Sequence, residues 1–177
     1  MKLFLLILTD VLLGYVPQAA GCAICLFTIT KQKLNSRKYW ITAGIFSAIA
    51  IIIRTAFNIG LIDFGFHTVI IWSLFIIVAI FYNRLPAMQS ICSILLSGII
   101  IAFTEILTAV ALIIMYGNDT FTAMMNNTQD LDGKIVKAIC GIPANIMFVI
   151  VVWLIYIIRA ILAKRKEKVK NAASVNP

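Results

Sequence analysis

The sequence predicts an all-α fold: a polytopic integral membrane helical bundle of five transmembrane helices, N-out and C-in. Three observations carry this. Of 177 residues, 62% are hydrophobic and only 12% charged, against roughly 45–50% and about 25% in soluble domains. The apolar residues fall into five long runs. The positive charges cluster on one side of those runs, as cytoplasmic segments of membrane proteins do.

A hydrocarbon core about 30 Å thick takes about 20 helical residues at a rise of about 1.5 Å each. The runs place span one over 3–27, span two over 39–60, span three over 67–82, span four over 86–115 and span five over 135–162. Span three is short; spans four and five exceed the minimum and are expected to tilt or project. Lys2 and the apolar Leu3–Leu8 resemble a signal-peptide start, but Asp10 interrupts the run and apolar character continues to Thr30. Span one is therefore read as uncleaved. Tyr39 and Trp40, Tyr82 and Tyr116 mark span ends, where an amphipathic ring favours the interface. The 116–134 segment is expected to be a flexible connector, with Met124 and Met125 able to lie on the membrane.

Orientation follows from charge. Lys31, Lys33, Arg37 and Lys38, then Arg84, then Arg159, Lys164, Arg165, Lys166, Lys168 and Lys170 are eleven of the fifteen Lys and Arg residues. All eleven fall on one side if five spans cross, and the positive-inside rule makes that side cytoplasmic. The other side carries Lys2, Asp63, Asp119, Asp130 and Asp132, with Lys134 and Lys137 flanking the end of its loop. Residues 1–163 then form one transmembrane domain and 164–177 a basic cytoplasmic tail, in a cell membrane of bacterial type. The net charge of +8 is placed to meet anionic lipid rather than nucleic acid.

Polar residues inside the spans are few, and ionisable ones there cost at least about 2.5–3.5 kcal/mol at the centre on insertion scales. They are Asp10 and Gln18 in span one, Arg54 and Asn58 in span two, His67 at the mouth of span three, Glu105 in span four and Asn145 in span five. Counted by helix rise, they lie in the outer half of the membrane and leave the inner half nearly bare. Arg54 is the natural centre, with Asp10 and Glu105 as bidentate partners. One reading is a buried ion network that fixes packing; another is an outward-facing ligand pocket; a third is independent snorkelling. Pro17 and Pro143 free carbonyls and kink their helices near this layer.

Catalysis is not expected. The single histidine, His67, and Cys92 belong near opposite faces, unlike the His–Cys pair of membrane cysteine peptidases that process peptide signals. One His and scattered carboxylates give no metal-ligand spacing, and no nucleotide motif or cofactor site is present. Cys22, Cys25, Cys92 and Cys140 read as small apolar packing residues rather than a redox or zinc centre.

Thr9-Asp10-Val11-Leu12-Leu13-Gly14-Tyr15-Val16-Pro17-Gln18 and Phe64-Gly65-Phe66-His67-Thr68 resemble the membrane sensor regions of clostridial accessory-gene-regulator-type (GHKL) histidine kinases. The hydropathy likeness covers most of the chain; these two stretches are its specific part. The resemblance implies a receptor half that reads an extracellular peptide or envelope signal. The chain departs from such kinases in lacking the kinase domain, so it would act through a membrane partner or by pairing with a full-length kinase or a second copy. The alternative is the substrate-binding membrane subunit of a vitamin-type transporter. Such subunits are similar in size and pocket but usually have six spans, and Ala19, Ala20, Ala43, Ala48 and Ala50 only faintly echo their docking face. A purely structural packing subunit is the third possibility.

Overall fold

In an apolar solvent every backbone N–H and C=O must be satisfied within the chain, which favours helices over any open sheet. The computed structural model describes residues 9–34, 36–58, 66–126 and 131–173, and no strand occurs among them. A π-helical segment, Thr9–Tyr15, leads into α1 (Val16–Ile29). Then come α2 (Arg37–Asn58), α3 (Phe66–Phe81), α4 (Ala87–Tyr116), a short α5 (Asn118–Asn126) and α6 (Leu131–Ala173).

Four stretches are long and apolar enough to cross a membrane: Val11–Ile29, Arg37–Ala56, Ala87–Tyr116 and Asp132–Arg165. The remaining apolar helix, α3, has 16 residues, about 24 Å of rise. By contrast α6 has 43 residues, about 65 Å. The basic tail therefore begins as a direct continuation of the last helix. The connector expected at 116–134 is in part α5, which packs on α4 and α6. Gly117, with φ of 84°, breaks α4 and allows the new helix to start.

The helices form a ring in which α1 touches α2, α2 touches α3, α3 touches α4, and α4 and α6 close back on α1. A direct α1–α4 contact crosses the middle. The centre of α1 is buried without interruption from Gly21 to Thr28, and its small residues are the reason three helices approach it closely. At Gly21 a Cβ would overlap the Phe148 ring of α6, and at Gly98 of α4 it would overlap Trp72 of α3. Phe46 and Phe75 stack with centroids 3.9 Å apart and planes at 2°, joining α2 to α3. Tyr39, expected at the interface, is instead buried edge-on against Phe27 at 5.6 Å; its neighbour Trp40 stays exposed.

The half of the bundle at the basic end is not bare of polar groups. Ser90, Ser93 and Ser97 are fully buried where α4 meets α1, and each hydroxyl donates to a carbonyl four residues back on α4 itself, Pro86, Gln89 and Ser93. Thr42 and Asn83 are buried together, with Thr42 Oγ1 2.8 Å from Lys38 O and 3.0 Å from Asn83 Oδ1. A hydroxyl has one proton, and Lys38 O takes it. Turning the Asn83 amide puts its NH2, otherwise without a partner, onto the Thr42 oxygen. Serine and threonine read as neutral in a hydropathy scan because they satisfy themselves in this way.

The turns at the basic end are built tightly. After α1, Gln32 N donates to Phe27 O (3.0 Å) and Lys31 N to Thr28 O (3.3 Å), a Schellman closure with Lys31 left-handed at φ 60°. Ser36 Oγ then accepts from Tyr39 N at 3.2 Å, the N-cap of α2.

Candidate functional site

Proline has no N–H, so Pro17 supplies no backbone donor to the turn before it, where the π-helical segment gives way to α1. Asn145 of α6 supplies a side-chain donor there: its Nδ2 donates to Leu13 O at 3.1 Å. Its Oδ1 accepts from Gln18 Nε2 at 2.8 Å. A single buried amide thus ties the start of α1 to the middle of α6. Two of the expected site residues, Gln18 and Asn145, are brought into direct contact.

Arg54 lies in the last turns of α2 and points at α1. Its guanidinium carbon sits 5.1 Å from the centroid of the Tyr15 ring, inside the range of a cation–π contact. Its charge also acts on His67 of α3 and on Glu105 of α4. His67 is buried, whereas Glu105 is exposed on the outside of the bundle. The bidentate Arg54–Glu105 pair expected from the sequence is not formed. Among the described side chains no carboxylate lies within 4 Å of the guanidinium, and the aromatic face takes that place. The side chains of Asp10 and Asn58 lie outside the described ones.

Between these groups is a cavity of about 40 Å³. Tyr15, Gln18, Arg54 and Thr68 give it polar walls, while Trp72 and Phe75 are among the residues that make it apolar on the other side. At roughly 10–15 Å³ for each water, it admits a few waters or one small group such as a carboxylate. A fixed cation, an amide and a hydroxyl facing a small space are suited to holding an anion by charge-assisted hydrogen bonds. Tyr15, Thr68 and Trp72 were not singled out as site residues from the sequence. The signal available for the first was the neighbouring proline, whose missing N–H marks the turn where α1 meets α6, and so which residues flank that junction.

The chain matches no family model, no curated protein and no solved structure.

Proposed function

We propose that this chain is a small integral membrane sensor or accessory protein whose Arg54 cavity receives a small anionic group from outside the cell. The carrying observation is the Arg54 guanidinium, set inside an apolar bundle beside a cavity and against the Tyr15 ring. A cation at that depth is costly without a counter-charge; among the described side chains no carboxylate reaches it, and an entering carboxylate would offset it.

The proposed topology is five spans, N-out and C-in, with α3 as a short crossing in a locally thinned bilayer. It places every basic cluster on the cytoplasmic side and the cavity toward the outside. The likeness to accessory-gene-regulator-type sensor regions fits the same reading, with the output passed to a membrane partner. Glu105, exposed among the equally exposed Phe103, Ile106 and Leu107, supports a partner at this face of α4, because a carboxylate turned to lipid favours a polar group from a neighbouring helix.

The test is thermal unfolding of the purified protein in lipid nanodiscs with a panel of short aliphatic and aromatic carboxylates. A binder at a hundred times its Kd adds about 2.7 kcal/mol, and Arg54→Gln should abolish the shift. A panel that never shifts the wild type, or shifts Arg54→Gln equally, overturns the proposal. Accumulation of the same compounds in vesicles carrying only this protein would point to transport instead.

A further inference from the structure

A second cavity lies at the opposite end of the bundle, between the turn after α1 and residues 156–163 of α6. Its volume is about 240 Å³, about six times that of the Arg54 cavity at 40 Å³. Lys31, Gln32 and Lys33 line it from the α1 side, and Tyr156 and Arg159, with Ala160 and Ala163, from the α6 side.

We propose that this cavity binds the phosphate of an anionic phospholipid headgroup. Three cations line one space and, among the described side chains, no acidic one lines it, an arrangement of like charges that an anion relieves. The C-terminal dipole of α1 attracts lysines too, but three of the carbonyls in its last turn are already occupied. Leu26 O accepts from Thr30 N and Thr30 Oγ1, Phe27 O from Gln32 N, and Thr28 O from Lys31 N. The lysine ammonium groups are therefore left to face the cavity and solvent.

Lys31 adds a second argument. It occupies a left-handed backbone position, φ 60°, that glycine takes at lower cost. A lysine there holds its charge at the rim of the cavity at the expense of backbone fit. The space itself exists because α6 presents alanine at 160 and 163. A large residue at either position would fill it. Gln32, also in the lining, supplies a neutral amide donor beside the cations for a phosphodiester with several acceptor oxygens. Basic pockets between helices at a membrane surface suit phospholipid headgroups, and all three cations lie at the end that meets such a surface. The inference is independent of any ligand for the Arg54 cavity and rests only on the basic end lying at a lipid surface.

The experiment is native mass spectrometry of the full chain from micelles holding equal phosphatidylglycerol and phosphatidylcholine. Wild type should retain phosphatidylglycerol selectively. Lys31→Gly with Arg159→Gln should lower that selectivity by roughly thirtyfold, at about fivefold per cation near the surface. Ala160→Leu, which changes no charge, should lower it as well by filling the space. The control Arg37→Gln with Lys38→Gln removes two cations at the same end but outside the cavity, and should leave selectivity intact. Equal retention by wild type and the cavity variants overturns the proposal. So does equal loss in the control, which would mean diffuse surface charge, or displacement of the lipid by inorganic phosphate at equal concentration, which would mean a free-phosphate site. The Lys31→Gly chain keeps or improves its turn, so a loss of lipid there is not a loss of fold.

Discussion

Asn145 donates its amide hydrogen to the carbonyl of Leu13 at 3.1 Å, in the turn to which Pro17 offers no N–H. The bond explains how a proline sits early in the central helix of a membrane bundle. The chain forgoes one backbone donor and supplies another from a different span. Interhelical side-chain hydrogen bonds in membranes average about 0.6 kcal/mol and reach about 1.7, so Asn145→Ala, which loses this bond and the one from Gln18, should cost about 1–2 kcal/mol. Pro17→Ala restores the missing donor. In that background Asn145→Ala should cost measurably less, read by reversible unfolding in mixed micelles. Strictly additive costs would sink the compensation.

Gly21 and Gly98 are sites where a methyl group does not fit, because Phe148 and Trp72 occupy the space. Gly21→Ala and Gly98→Ala should each cost about 1–3 kcal/mol by overpacking. Phe148→Leu should recover much of the Gly21→Ala loss. Gly44→Ala and Gly141→Ala face open space and should be neutral or stabilising by at most about 1 kcal/mol. Thermal unfolding that ranks all four glycines alike would contradict the packing described.

The Tyr15 ring lies 5.1 Å from the Arg54 guanidinium carbon. Tyr15→Phe and Tyr15→Leu both remove the hydroxyl, so their difference isolates the aromatic face. Tyr15→Leu should be the less stable by about 0.5–2 kcal/mol, and should bind any carboxylate found by the thermal screen more weakly. Equal behaviour of the two would remove the cation–π contact from the account of the site.

Whether α3 crosses the membrane decides which side the basic clusters share. In a background without native cysteines, Lys33→Cys and Lys164→Cys should react with an impermeant reagent only from the cytoplasmic side. Thr122→Cys, on the exposed face of α5, should react only from outside. Finding residues 33 and 164 on opposite sides would reduce the crossings to four and reject the proposed topology.

The long apolar helices were legible because a bilayer leaves the backbone so few choices; the bounds of α2 and α4 lie within two residues of those read from the runs. α5 was not legible, since nine residues with Asn at both ends carry too little apolar periodicity to distinguish a helix from a loop. Polar residues could be ranked by depth but not paired. Helix rise gives height, whereas partnership depends on rotation about each axis and on neighbour order. Gln18 and Asn145 were both marked, yet their contact required knowing that α1 and α6 are adjacent. Of the two carboxylates expected near Arg54, Glu105 does not pair with it and the Asp10 side chain lies outside the described ones, while the Tyr15 ring beside it leaves no mark in a scan for opposite charge.

The serine seam of α4 has a mechanical consequence. Ser90, Ser93 and Ser97 bond to their own helix. Among the described residues the polar contacts across to α1 come from thiols, such as Cys25 Sγ to Ser93 O at 3.5 Å, which are weak donors. Such a seam leaves the α1–α4 approach to close packing of small side chains, whereas α6 is tied to α1 by the hydrogen bonds of Asn145; the one central helix is thus held by shape on one flank and by polar bonds on the other.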